Sequence, residues 1–342
     1  MIGTTLSKMN ATFAIAVCTF NPDSRLISRL LESISLILES SAFNVEVILI
    51  DNNSNPSLRQ DKSVSSFLEK YPKSKFVVES RQGLTAARCC AIKNTSSSIV
   101  VFFDDDNEPR KDYLDVLLKY FIDFPHVGIW GPGEITVEYV DSVHDWFYRH
   151  PEKFQQRKRG FGYCCLPATW GPYFPNGTGF AVKREILNYY LLSIETGKLS
   201  TNDRKGRLLS SAGDVQVVWE GIKLGFAVGL IPELKCKHLI TGSKANFAYL
   251  KKLSFGTASS YLPALLESFP QQKSQICRAP TLAYFYKNFI KFTLKTVLFP
   301  WEYYQIQLEF AKFVGSCYGH ALALNLSASK HFLYIAKKFN LV

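Results

Sequence analysis

The sequence predicts an α/β fold, a mostly parallel sheet flanked by helices, followed by a helical basic C-terminal extension. Three observations carry this. Short apolar runs alternate with helix-periodic segments through the first 125 residues. Strands that alternate with helices imply a parallel sheet covered on both faces. Each apolar run ends in a polar, turn-like stretch. The charge is also divided unevenly: residues 1–230 hold 26 basic and 25 acidic residues, whereas 231–342 hold 14 and 4. The net charge of +11 on 342 residues therefore belongs almost wholly to the last third. At 47% hydrophobic and 20% charged, the chain can bury a proper core and is neither disordered nor collagenous.

The elements follow in order. Phe13–Cys18 is apolar throughout and reads as a buried strand, closed by the turn Thr19-Phe20-Asn21-Pro22. Ser24–Leu38 places Leu26, Ile27, Leu30, Leu31, Ile34 and Leu38 at helical spacing, with Asp23 or Ser24 as N-cap. Val45–Ile50 is a second strand, ending in Asp51-Asn52-Asn53. Ser65–Tyr71 reads as helix, Phe76–Val78 as a short strand, and Leu84–Lys93 as a helix entered from Gln82-Gly83. Ile99–Phe103 is a buried strand ending in Asp104-Asp105-Asp106, and Asp112–Tyr120 is the next helix. Further on, Phe180–Val182 is extended, Lys183–Leu191 and Val215–Leu224 are helical, and Phe226–Ile231 is a strand. Arg149–Arg159 is basic and expected on the surface. From about Phe247 aromatic, aliphatic and lysine residues interleave. Lys287, Lys291 and Lys295 recur every four residues, which suits either an interfacial amphipathic helix or an ordinary surface helix.

Several classes are excluded. There is no G-x-G-x-x-G and no P-loop, which argues against a dinucleotide or P-loop site. Nothing resembles a nucleic-acid module. The eight cysteines, Cys18, Cys89, Cys90, Cys164, Cys165, Cys236, Cys277 and Cys317, show no zinc spacing and read as reduced thiols. Met1–Ala11 has no basic region followed by an apolar run, so no secretory signal is expected. No uncharged apolar stretch of about 18 residues occurs, so no spanning helix is expected.

In open α/β sheets, ligands bind outside the carboxyl ends of the strands. The three carboxylates of Asp104-Asp105-Asp106 sit at such an end and repel one another unless a cation is near. Mg²⁺ or Mn²⁺ is the usual answer, held by one or two carboxylates and substrate phosphates. An extended chain would point Asp104 and Asp106 one way and Asp105 the other. The plain alternative is a solvated acidic turn. Asp51 ends a strand at the same edge, either to receive a base or ribose hydroxyl or to form a turn. Asp214 follows Gly213 ahead of a helix and reads as a general base or an N-cap. His238 reads as a late metal ligand or a partly buried structural histidine. Arg88 reads as a diphosphate grip or a surface ion pair.

The order of these pieces resembles the family 2 glycosyltransferases. The resemblance rests on Val17-Cys18-Thr19-Phe20-Asn21, Val47–Ser54, Gln82–Arg88 and Phe102–Asp106. It continues in Gly177–Arg184, Gly213-Asp214, and Pro232 with His238-Leu239-Ile240. It implies a GT-A fold, Rossmann-like, with a nucleotide-diphosphate sugar donor, Mn²⁺ or Mg²⁺, and inversion at the anomeric carbon. By motif position, Thr19, Phe20, Asn21, Asp51, Arg88, Asp104 and Asp105 would bind the nucleotide sugar. Asp104, Asp106 and His238 would hold the metal, and Asp214 would deprotonate the acceptor. Trp170, Gly177, Thr178 and Gly179 would face the acceptor. The implied layout is a domain over 1–245, split into a donor half (12–125) and an acceptor half (126–245), then a helical region over 246–342. Two departures stand out: Gly213 replaces an acidic residue before the base, and Gln216 replaces one after it. Without Q-x-x-R-W or multiple spans, single-sugar transfer is expected rather than polymer extrusion.

The resulting expectation is a cytoplasmic glycosyltransferase, peripheral on the inner membrane face through its basic tail. It would move one sugar to a glycan or lipid-linked acceptor in surface polysaccharide synthesis, with no nucleic acid involved. Two competitors are a degenerate relative that only binds glycans or a partner, and a haloacid-dehalogenase phosphatase. The latter places its D-x-D on the first strand, which this chain does not.

Overall fold

A computed structural model describes residues 11–200, 209–275 and 280–342 of the chain. Its described residues fall into two compact units, Met1–Glu195 with Val217–Ile240, and Thr196–Gln216 with Thr241–Val342.

Among the described residues the first unit is built on a ten-stranded sheet, whose main path runs β3 (Lys75–Val78), β2 (Val45–Asp51), β1 (Phe13–Thr19), β4 (Ile99–Phe103), β9 (Ala181–Lys183), β6 (Val127–Tyr139), β10 (Ala227–Ile240) and β5 (Asn107–Pro109), with β7 (Arg157–Lys158) on β6 and β8 (Gly162–Cys164) on β10. β1 (Phe13–Thr19) is buried at every position. It pairs in parallel with β2 (Val45–Asp51) on one side and β4 (Ile99–Phe103) on the other. β3 (Lys75–Val78) continues the parallel set from β2. A strand buried on both faces must be apolar throughout, which is why Phe13-Ala14-Ile15-Ala16-Val17 and Ile99–Phe103 contain no polar residue. Each fully buried Val, Ile or Phe contributes roughly 1.5–3 kcal/mol relative to exposure.

α1 (Ser24–Ser40) buries Leu26, Ile27, Leu30, Leu31, Ile34 and Ile37, and the Asp23 carboxylate caps it by accepting from the Arg25 N–H at 2.9 Å. α2 (Lys62–Lys70), α3 (Leu84–Lys93) and α4 (Tyr113–Asp123) fall close to their expected places. β9 (Ala181–Lys183) lies antiparallel between β4 and β6 (Val127–Tyr139), and α6 (Arg184–Glu195) follows it.

Three expectations change. The strand expected at Phe226–Ile231 runs to Ile240 as β10 (Ala227–Ile240). Its register against β6 shifts between Ile231 and Lys235, so Pro232, which cannot donate to a ladder, sits in an irregularity instead of ending the strand. The basic stretch 149–159 is not uniformly exposed: Phe154 is buried and Arg157 half-buried. The Asp triplet is a turn, not extended chain. Cys277 lies outside the described residues.

The second unit is helical: α8 (Phe247–Ser268), α9 (Leu282–Leu298), α10 (Tyr303–Ala323) and α11 (Ala328–Lys338). Phe255, Phe285, Phe310, Val314 and Phe332 form its core. α8 and α10 approach backbone to backbone. A Cβ on Gly319 would lie 2.5 Å from the Ser259 carbonyl oxygen, so only glycine fits there.

Candidate active site

The sheet register builds the site. Thr19 pairs with Asp51, and Val17 with Phe103, so the ends of β1, β2 and β4 are level. Asp104 therefore follows β4 beside the last residues of β1. The Asp104 carbonyl accepts from the Asn107 N–H at 3.1 Å, closing a turn over the triplet. This turn replaces the strict alternation expected of an extended chain. The Thr19 hydroxyl donates to Asp105 Oδ2, tying the triplet to β1.

β5 (Asn107–Pro109) then folds antiparallel onto β10, with Asn107 opposite His238. Asn107 is fully buried and works both ways. Its Oδ1 accepts from the Asp104 N–H at 3.1 Å, and its Nδ2 donates to Asp106 Oδ1 at 2.9 Å. The Leu239 N–H donates to the Asp106 carbonyl at 2.8 Å. Asp106 is buried, and its Oδ2 lies 3.4 Å from His238 Nε2.

The opposite ring nitrogen, His238 Nδ1, is 2.8 Å from the Phe154 carbonyl oxygen. A carbonyl only accepts, so Nδ1 carries a proton, which leaves the lone pair of a neutral ring on Nε2. Two acceptor atoms then face each other unless a proton or a cation lies between them. That donor set fits a divalent ion. Among the described residues no three His, Cys, Asp or Glu side chains converge on one point. Mg²⁺ and Mn²⁺ accept few protein ligands, with phosphate oxygens and water completing the shell.

Asp51 is buried and held by its own loop. Its Oδ1 accepts from the Ser54 N–H at 2.8 Å, and its Oδ2 from the Leu58 N–H at 3.0 Å. Asn52 spans the loop to α3: Oδ1 accepts from Gly83 at 2.8 Å, and Nδ2 donates to the Arg81 carbonyl at 2.8 Å. Asn21 ties the β1 turn to this loop, its Oδ1 accepting from the Asn55 N–H at 2.8 Å. Phe20 stands out from the same edge, 48% exposed.

Arg88 is buried on α3, not on the surface, with its guanidinium 5.4 Å from the centre of the Phe180 ring. It lies near Cys18, whose thiol burial pushes up to about 12; Arg88 opposes that rise and Asp104 adds to it.

The downstream segment runs along β4. The Phe102 N–H donates to the Phe180 carbonyl at 3.0 Å. Gly179 has φ +68°, and the Tyr113 hydroxyl donates to its carbonyl at 2.5 Å. Gly177 is buried, as is Thr178, whose hydroxyl donates to Gln155 Oε1 at 2.8 Å. Asn176 reaches the same oxygen at 2.7 Å and accepts from Arg157 at 2.5 Å. Burial pushes the Arg157 guanidinium down to about 10. Gln155, Arg157, Asn176 and Asn107 were not expected from the sequence. Only Asn107, adjacent to the triplet, carried a local signal; the others are joined by tertiary contact. Trp170 is 39% exposed and packs edge-on against Phe174.

Asp214 belongs to the second unit. It sits in the first turn of α7 (Gly213–Lys223), where Oδ1 accepts from the Val215 N–H at 2.9 Å.

The model of the family described as glycosyl transferase family 2 matches residues 14–190. The chain belongs to that family. The match takes in the β1, β2 and β4 ends, Arg88, Trp170 and Gly177–Gly179; Asp214 and His238 lie beyond it. Membership carries glycosyl transfer as the activity, and the mostly parallel sheet flanked by helices is the GT-A arrangement. Among solved structures, the chain is similar to residues 1–349 of TarS from S. aureus. The identity is 16% and the TM-score 0.46, over 96% of this chain and 88% of that one. It is also similar to the mannosyltransferase PcManGT from Pyrobaculum calidifontis, solved with GDP-Man and Mn²⁺. There the identity is 17% and the TM-score 0.49, over 98% and 82% of the two chains. No curated protein matches the sequence.

Proposed function

We propose that this family 2 glycosyltransferase moves one sugar from a nucleotide-diphosphate sugar to a glycan or lipid-linked saccharide, with inversion and with a divalent metal. The observation that carries this reading is the Asp104–Asp106 turn, which brings Asp106 against His238 at the carboxyl edge of a parallel sheet. The acceptor oxygen attacks the anomeric carbon from the side opposite the diphosphate. The bond to the diphosphate breaks and its electron pair leaves with it.

Asp214 takes the acceptor proton as the new bond forms. Asp106 and His238, with Asp104 in the same turn as Asp106, would hold Mn²⁺ or Mg²⁺, which would supply positive charge to the departing diphosphate. Arg88 adds a fixed guanidinium to the same task. Thr19 with Asp105, and Asn21 with Asp51, shape the nucleotide pocket, and Phe20 offers a ring against the base. Trp170 and Gly177–Gly179 shape the acceptor side. Hexosyl transfer in surface polysaccharide synthesis is the process we assign. The protein works as a peripheral protein on the inner face of the plasma membrane. No helix among the described residues is long and apolar enough to cross a membrane.

Turnover of a panel of nucleotide sugars with Mn²⁺ tests the reading. Metal-dependent release of nucleotide diphosphate that vanishes in Asp106→Ala supports it. Tight nucleotide binding without turnover on any donor would instead indicate a binding protein, the reading that Gly213 before Asp214 favours. Asp214→Asn separates base from cap: donor binding stays near wild type while transfer falls by orders of magnitude.

A further inference from the structure

Helix α9 is apolar on two opposite sides. One side is the core side: Phe285 is fully buried, and Phe289 and Phe292 pack against the ring of Phe310. At 100° per residue these three fall on one stripe. The opposite side carries Ile290, Leu294, Val297 and Leu298, exposed by 58, 55, 73 and 63%. The turn that follows, Pro300–Glu302, adds Trp301 at 75%. An outward row of large aliphatics ending in an exposed tryptophan costs free energy in water and implies something that covers it.

The charges beside the row say what. Lys287, Lys291 and Lys295 are exposed and run along one flank of the stripe for its length. The chain contains no Asp or Glu from 268 to 301, and residues 241–342 hold 12 Lys+Arg against 3 Asp+Glu. The acidic residues beside this row are Glu302, exposed next to Trp301, and Glu309, 4.0 Å from Lys295. A second copy of the same face would bring its own lysines. A bilayer with anionic headgroups meets the whole cationic flank and accepts the aliphatic row at the acyl boundary. Tryptophan prefers that boundary, and lysine stems lie along apolar surface with the ammonium in the headgroups.

We propose that the outer face of α9 with the Pro300–Glu302 turn is a membrane-docking surface. Ile290, Leu294, Val297, Leu298 and Trp301 enter the headgroup–acyl boundary of an anionic bilayer, and Lys287, Lys291 and Lys295 hold lipid phosphates. The helix lies in the interface plane, as amphipathic anchors do. This deepens the membrane part of the proposed function and rests on that part alone, not on the chemistry.

Co-sedimentation of the full chain with lipid vesicles tests it, with no donor or acceptor present. Phosphatidylcholine vesicles with about a quarter phosphatidylglycerol should bind wild type roughly tenfold better than pure phosphatidylcholine. Leu294→Glu with Val297→Glu should lose that binding, with an unchanged thermal melt because both side chains are exposed. Lys287→Glu with Lys291→Glu and Lys295→Glu should abolish the preference for anionic lipid. The tryptophan emission lost in Trp301→Phe should shift to shorter wavelength on anionic vesicles. Asp106→Ala, inactive in transfer, should bind vesicles as wild type does, so failure of the chemistry leaves this result standing. Wild type that ignores anionic vesicles overturns the proposal, as does a double glutamate variant that binds undiminished. So does a wild-type dimer in sedimentation that the same variant splits, which would assign the face to a second copy.

Discussion

Two neighbouring turns of one sheet edge hold buried aspartates in different ways. Asp51, at the end of β2, is gripped by Ser54 and Leu58, within seven residues of itself. Asp106, after β4, is gripped by Asn107 beside it and by Leu239 and His238, more than 130 residues on. The first carboxylate organises a loop and spends both oxygens on backbone N–H groups. The second sits against an imidazole whose other nitrogen is already committed to a carbonyl. A self-contained turn is a structural device. A turn completed from afar can change its partner when a ligand arrives.

The largest expected effect breaks this contrast at the second turn. Asp106→Ala should lower sugar transfer by about 10³-fold, the scale of losing a preorganised electrostatic group, and cost about 1–2 kcal/mol of stability through the stranded Asn107 amide. Release of nucleotide diphosphate and calorimetry read the two quantities. Asn107→Leu acts through Asp106 and removes the bond that orients its carboxylate. Mn²⁺ affinity, read by titration of the free-ion electron paramagnetic resonance signal, should weaken roughly 10–100-fold. An unchanged affinity would show that the turn needs no such support.

The first turn should respond in stability instead. Asp51→Ala strands the Ser54 and Leu58 N–H groups and should cost about 2–3 kcal/mol in urea unfolding. Gly179→Ala sits between the two cases. Its φ of +68° and a Cβ only 2.5 Å from the Tyr113 hydroxyl should cost about 2 kcal/mol, and Tyr113→Phe should recover part of it.

The smallest effect is one of pH, away from both turns. A hydrogen bond from Arg29 lowers the Glu138 carboxyl below its ordinary 4.5. A depressed carboxylate contributes stability above its unfolded value, and that contribution is lost as pH falls through the folded one. Arg29→Met should therefore lower the melting temperature slightly at neutral pH, flatten its fall below pH 4.5 and leave the acid limit nearly unchanged.

Much of the donor half was legible in the sequence. Phe13–Cys18, Val45–Ile50 and Ile99–Phe103 announce strands because a sheet buried on both faces tolerates no polar side chain. Asp23, Gly83 and the alternation of elements are equally local signals. Asp106 and His238 were joined in the sequence only through the family resemblance, as ligands of one metal; no spacing sets their register. Nothing in Pro232 or its neighbours says that β10 continues through an irregularity to place His238 opposite Asn107. Arg157, expected on the surface, is drawn inward by Asn176 and the Pro132 carbonyl, partners that no spacing relates to it.

The tail divides the same way. Four-residue lysine spacing and a run of aromatics establish a helix and its charge, since periodicity depends only on residues within a few turns. Which apolar side of α9 meets Phe310, and which faces outward with Trp301, depends on contacts with another helix. The sequence by itself thus determined the parallel strands of the donor half, the cap of α1, the Asp triplet, the family and the basic tail, all of which follow from short-range pattern. Only the tertiary structure decided which carboxylate meets a histidine and which hydrophobic row is left uncovered, because both depend on register between segments far apart in the chain.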